Sequence, residues 1–186
     1  ISRNQKYSEA FISEFRDKLY WHIISYKQDL SESFIIEYED YIQWGYMSCN
    51  KSMTEPLIRR YQDRVDWDEI SRCQELSEAF ISEFRDFVSW SAVSENQKIS
   101  EAFIREFQYY VDWNAVSRYQ ELSEEFIREF YEFVDWDVIS ECQPLSEAFI
   151  REFKDYVNWT FICYCKTSTL KVRWSPLTNR CTKSEK

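Results

Sequence analysis

The chain has 186 residues, with 33 acidic against 23 basic side chains, one Gly, one His and three Pro. A single glycine (Gly45) excludes Gly-rich phosphate loops and dinucleotide fingerprints, and a single histidine (His22) excludes multi-histidine metal sites and leaves little general-base chemistry near neutral pH. With 19% aromatic and 30% charged residues, the composition is that of a folded, helix-rich chain.

The elements are set by a repeat. Trp21, Trp44, Trp67, Trp90, Trp113, Trp136 and Trp159 follow one another at intervals of 23 residues without insertion, and self-similarity at a fixed period marks a repeat array. With Ile1 as position 1, the unit reads I-S-x-x-Q-x-L-S-E-A-F-I-R-E-F-x-D-x-V-D-W-x-x. Seven copies are followed by a partial eighth that starts at Ile162 and dissolves after Lys166. The chain opens inside the motif and without an initiator Met, so it is expected to be a processed or truncated product.

The first element of each copy is a helix predicted over about positions 9–18. Position 8 is Ser or Thr, a hydroxyl cap, and position 9 is always Glu, a carboxylate in the first turn where the helix dipole favours it. An apolar residue before the cap is spaced to pack on the invariant Ile of position 12 as a hydrophobic staple. Positions 11, 12, 15 and 19 form the apolar stripe. The second helix, about two turns, is predicted from the Trp to the following Gln. Its caps are Asp66, Asp112, Asp135, Asn158 and Ser89, with Tyr20 and Gln43 as exceptions.

Helices this short are marginal alone and persist only when neighbours cover their apolar faces. The expected fold is therefore all-α, an α-solenoid of seven 23-residue two-helix repeats with a short non-repeat C-terminal cap. Residues 1–166 form the array and residues 167–186 the basic tail. The seven periodic tryptophans are assigned to the core. Gln at position 5 and Ser at position 2 are read as hydrogen-bonders to neighbouring turns. Glu101/Arg105, Glu124/Arg128 and Glu147/Arg151 are read as i,i+4 pairs on a solvated face. The third copy departs most (Met53, Thr54, Pro56, Leu57, Arg60), so an irregularity or a partner-facing patch is expected around residues 49–62.

Residues that could carry chemistry are few. Cys73 and Cys142 share a repeat position three units apart, too distant to bridge in a solenoid. For Cys163, Cys165 and Cys181 three states stay open: a metal site, a disulfide from Cys163 or Cys165 to Cys181, or free thiols. A reducing compartment is the default without a secretory pattern. His22 has no triad partner and reads as a surface residue. No enzyme signature is present, and no catalytic, cofactor-binding or metal residue is assigned. The tail alternates apolar and polar through residues 170–174, then turns at Ser175-Pro176, which reads as an extended segment or hairpin edge. It caps the last repeat or docks through Lys171, Arg173 and Arg180.

The segments LSEAFIREFKDYVNW (145–159) and WDVISECQPLSEAFIREF (136–153) resemble a short tandem repeat in proteins of unknown function from giant viruses of the mimivirus type. The resemblance covers about residues 1–166. It implies a viral origin and a host-interaction or assembly role, in host cytoplasm or virion, and it assigns no catalytic residue.

Residues 160–186 carry six Lys/Arg and one acid, a net +5, which leaves 17 basic and 32 acidic side chains, a net −15, on residues 1–159. Such an acidic body repels phosphates and anionic lipid, so membranes are excluded as partners and nucleic acid is not expected. The expected function is a non-enzymatic scaffold that binds another protein, host or viral. Its candidate contact anchors are the aromatic residues of position 18, Tyr41, Phe87, Tyr110, Phe133 and Tyr156. Two alternatives are a self-associating virion or matrix component and an acidic decoy that mimics nucleic acid.

Overall fold

The computed structural model describes residues 6–167 and the segments Arg173–Ser175 and Arg180–Thr182. The first helix of each copy is laid down from its cap. The hydroxyls of Ser8, Ser31, Ser77, Ser100, Ser123 and Ser146 accept the N–H three residues on at 3.1–3.3 Å. They open α1 (Glu9–Glu14), α3 (Glu32–Glu37), α7 (Glu78–Glu83), α9 (Glu101–Glu106), α11 (Glu124–Glu129) and α13 (Glu147–Glu152). The corresponding helix of the third copy, α5 (Glu55–Arg60), starts without a side-chain bond from Thr54 and has Pro56 in its first turn, where a missing N–H costs nothing.

These helices stop at position 14, four residues short of the expectation. The N–H of position 18 turns back to the carbonyl of position 15, as Phe87 does to Phe84 at 2.9 Å. The carbonyl of position 16, which a continuing helix would use, is taken by an indole: Trp21, Trp67, Trp90, Trp113, Trp136 and Trp159 donate Nε1 to the carbonyl five residues back at 2.9–3.1 Å. A tight turn thus replaces the last helical turn.

The second helices begin at the tryptophans as expected: α2 (Trp21–Lys27), α6 (Trp67–Cys73), α8 (Trp90–Asn96), α10 (Trp113–Tyr119), α12 (Trp136–Cys142) and α14 (Trp159–Thr167). Asp66, Asp112 and Asp135 each accept two N–H groups of the first turn, and Asn158 accepts that of Thr160. Ser89 makes no side-chain cap bond. The helix of the second copy, α4 (Trp44–Met47), is cut to four residues.

Two polar side chains tie successive copies together. The position 2 serine donates to the tryptophan carbonyl of its own helix and accepts the N–H that opens the next one: Ser117 Oγ bonds the carbonyl of Trp113 at 2.7 Å and the N–H of Asp135 at 3.0 Å. The position 5 glutamine clamps three backbone groups of the preceding copy. Gln97 Nε2 donates to the carbonyls of Ser71 (2.8 Å) and Gln74 (2.7 Å), and its Oε1 accepts the N–H of Leu76 (3.0 Å). Gln143 repeats this on Ser117, Gln120 and Leu122. Both side chains are the structural hydrogen-bonders expected from their recurrence.

The fold is an all-helical array of 23-residue repeats whose neighbouring helices pack on one another. It divides into two compact units, Ile1–Gln97 and Lys98–Lys186. In the first, α2 packs on α4 and α6 on α8; in the second, α10 packs on α12 and α12 on α14. Ile12, Ile35, Ile81, Ile104 and Ile127 at position 12, and Ile70, Val93, Val116 and Ile139 at position 1, are wholly buried.

The indoles lie at the margin of this core, and that corrects the assignment of all seven to it. Trp44 is buried at 8% exposure; Trp21, Trp67, Trp90, Trp113 and Trp136 are half-buried; Trp159 is 52% exposed. Within each unit the indoles pack on the copy that follows. Trp113 packs on Phe126, Phe130 and Phe133, and Trp136 on Phe149, Phe153 and Tyr156. Trp159 is the last of the series, and the sequence beyond it no longer supplies a Phe-rich helix.

In the tail, β1 (Arg173–Ser175) pairs antiparallel with β2 (Arg180–Thr182), Trp174 opposite Cys181. This is the hairpin the alternation suggests. Lys171 lies outside the described residues, as do the side chains of Arg173, Arg180, Cys165 and Cys181, so the expected docking patch and tail disulfide fall there too.

Candidate functional site

Position 18 sits in the turn after the first helix, and the tightness of that turn sends its side chain outward. Tyr41 and Phe87 in the first unit are 37% and 53% exposed; Tyr110, Phe133 and Tyr156 in the second are 49%, 41% and 49% exposed. Four of these rings rest on the preceding indole: Trp21 to Tyr41 is 5.0 Å, Trp67 to Phe87 5.5 Å, and Trp113 to Phe133 and Trp136 to Tyr156 both 5.3 Å between centroids. Tyr41, Phe87, Phe133 and Tyr156 are therefore held in place on one face and open to solvent on the other, while Tyr110 packs against Phe107 at 6.0 Å. Position 18 of the third copy is Arg64, whose guanidinium lies 5.0 Å over the ring of Trp44, so the same slot holds a cation–π contact.

Beside this margin the acidic side chains are largely engaged. The i,i+4 pairs form loosely, at 3.8 Å for Arg105–Glu101 and 3.9 Å for Arg128–Glu124. The tighter bonds cross between copies: Arg59–Glu83 at 2.8 Å, Arg105–Glu129 at 2.8 Å and Arg128–Glu152 at 2.9 Å. Sequence reading missed these, because the partner lies 24 residues away and not four. The same guanidiniums lie 4.9–5.1 Å over Phe80, Phe126 and Phe149 of the following copy. Arg151 falls back on Glu147 at 3.1 Å. The position 9 carboxylates hold the next cap: Glu101 accepts the N–H of Ser123 and Glu124 that of Ser146, both at 2.6 Å.

The shifted titrations belong to this scaffold. Burial, then its hydrogen bond to Glu39, pushes the Tyr61 phenol up. Hydrogen bonds from Lys51 and Lys6 hold the Asp29 carboxyl below its usual range. His22 is exposed between Tyr20 and Tyr46.

One cluster was not anticipated. Cys49 and Cys73 are joined in a disulfide with Cα atoms 5.2 Å apart, against the expectation of a reducing setting, and Glu69 stands beside both sulfurs. The signal was the spacing: 24 residues is one more than the period, which brings two positions of neighbouring second helices together. The short α4 then releases Cys49 from regular helix. These three residues are also the group among the described residues whose donor atoms converge as metal ligands would.

Compared with family models, with curated proteins and with solved structures, the chain matches none.

Proposed function

We infer that the chain is a non-enzymatic repeat scaffold that binds another protein, with the position 18 rings as its anchors. The observation that carries this reading is the exposure of Tyr41, Phe87, Tyr110, Phe133 and Tyr156, four of them (Tyr41, Phe87, Phe133 and Tyr156) seated on indoles. A tyrosine or phenylalanine fixed in orientation before contact loses little conformational entropy on binding, and such residues dominate interface energetics. The internal frame is repeated almost unchanged while the outward positions vary, which is how a repeat array separates stability from recognition. The net −15 of residues 1–159 suits a partner whose binding face is apolar at its centre and basic at its rim. The giant-virus setting, with a host or viral protein as partner, rests on the resemblance of the repeat.

The test is affinity capture from a host-cell extract followed by mass spectrometry, with the triple substitution Tyr110→Ser, Phe133→Ser and Tyr156→Ser run beside the unaltered chain. A specific protein retained by the chain and lost by the variant, while both keep the same helical circular dichroism and melting temperature, is the expected result. Recovery of no protein at any salt between about 50 and 200 mM, or equal recovery by both chains, overturns the reading.

A further inference from the structure

Cys49, Glu69 and Cys73 lie in the first unit on α4–α6 and its connection, and their donor atoms are all within 4.8 Å of one another. Glu69 Oε2 is 2.9 Å from Cys49 Sγ and 3.6 Å from Cys73 Sγ, while Oε1 is held by Arg72 at 3.3 Å. The arginine thus fixes the carboxylate with one oxygen turned toward the sulfurs. A disulfide sulfur has no proton to donate, so in the oxidised chain the carboxylate gains no hydrogen bond from either neighbour. The same placement becomes favourable once the sulfurs are thiols, which donate, or thiolates, which share a cation with it. A zinc-class ion sits about 2.3 Å from thiolate sulfur and about 2.1 Å from carboxylate oxygen, distances that three atoms so close together satisfy with a small opening of the two sulfurs. Cys73 is exposed, and Cys49 and Glu69 are half-buried, which leaves a fourth coordination position facing solvent.

We propose that Cys49, Cys73 and Glu69 form a redox-gated site for a soft divalent cation of the zinc class, closed as a disulfide and opened on reduction. A dithiol or phosphine reductant delivers two electrons to the S–S bond, which takes up two protons as two thiols. The cation then displaces one proton from each thiol, and the Glu69 carboxylate supplies the third ligand. Thiolate and carboxylate together select zinc, or cobalt as its spectroscopic stand-in, over calcium and magnesium. The proposal is independent of the partner-binding reading.

Cobalt(II) is the probe. The full chain carrying Cys163→Ser, Cys165→Ser and Cys181→Ser, which removes the three C-terminal thiols, is reduced with a phosphine, freed of reductant without air and titrated with cobalt. The expected result is a thiolate-to-cobalt charge-transfer band that saturates at one ion per chain, is bleached by zinc and is absent before reduction. Glu69→Gln weakens binding by about tenfold or more, and Cys49→Ser or Cys73→Ser abolishes the band. The same polypeptide, oxidised and reduced, serves as the control for folding. A reduced chain that gives no band, or a band that survives both Cys49→Ser and Cys73→Ser, overturns the proposal.

Discussion

Replacing Gln97 by Met tests whether the glutamine clamp sets the 23-residue spacing. Methionine keeps the length of the side chain and removes its amide. The carbonyls of Ser71 and Gln74 then lose their donor, and the N–H of Leu76 loses its acceptor. Gln97 is 6% exposed, so water reaches these groups poorly. An unsatisfied buried backbone group costs about 1–3 kcal/mol. Taking the lower half of that range for each of the three groups, the expected loss is about 3–6 kcal/mol, or a fall of about 6–24 °C in Tm for a chain of this size. Urea unfolding followed by circular dichroism measures it. Gln143 provides the comparison, because it makes the same three bonds from a half-buried position; Gln143→Met should cost about half as much. A loss below about 1 kcal/mol at Gln97 would mean that the backbone finds other partners, and the clamp would then be a consequence of the repeat spacing and not its cause.

Trp113→Ala should destabilise by about 2–4 kcal/mol, since it removes three aromatic contacts and the bond to the Gln108 carbonyl, whereas Trp159→Ala should cost less than about 1 kcal/mol; equal midpoints in urea would contradict the assignment of the indoles to junctions between copies. Asp135→Ala, which deletes a cap holding two N–H groups, should lower stability by about 1 kcal/mol, while Ser89→Ala, with no cap bond to lose, should be neutral in the same assay. Reducing the Cys49–Cys73 disulfide in metal-free buffer should lower the unfolding free energy by about 3 kcal/mol, the loop-closure contribution for a link across 24 residues; thermal melts with and without reductant measure it, and no change would show that the packing of neighbouring copies already holds the loop closed.

The fold was legible because its determinants are local and recur. A hydroxyl at position 8, a carboxylate at position 9 and an apolar stripe describe the first helix in each copy, and seven repetitions remove the ambiguity that one short helix would leave. What could not be read was set by competition for particular backbone groups. Where the first helix ends early, the position 16 carbonyl is taken by a side chain, the Trp indole in six copies and Arg64 at Glu39, and no helix propensity reports that claim. The burial of the indoles was overestimated for a related reason: the aromatic column belongs to the junction between copies, so an indole is covered only as far as the next copy reaches, and Trp159 is left open. Of the candidate site, the recurrence of an aromatic residue at position 18 followed from periodicity, whereas its exposure is set by the tight turn that carries it. The Cys49–Glu69–Cys73 cluster did not, since it forms across copies and depends on the shortening of α4.

The irregular third copy shows how strictly the frame is enforced. Where the other copies have Gln at position 5 it has Lys51, a residue that cannot clamp two carbonyls and an N–H at once. Asn50, one residue earlier, donates instead to the carbonyls of Ser25 (2.7 Å) and Gln28 (2.9 Å), and Ser52 accepts the N–H of Leu30 (3.0 Å). Two side chains do the work of one, and the short α4 supplies the slack that lets them reach. Where five of the copies place an aromatic ring at position 18, Arg64 covers Trp44 and also donates to the carbonyl of Glu39 at 3.1 Å. That carbonyl lies five residues before Trp44, in the place every other described indole uses, and Trp44 Nε1 is the one buried side-chain nitrogen or oxygen among the described residues left without a hydrogen bond. A copy merely drifting from its pattern would be expected to leave several such atoms unpaired. This one leaves a single N–H unpaired, on the Trp44 indole of the copy before it, and adds a disulfide to the copy after it with a carboxylate beside the sulfurs. The departures of the third copy are thus compensated inside the frame, and what they change is the surface on which Cys49, Glu69 and Cys73 meet.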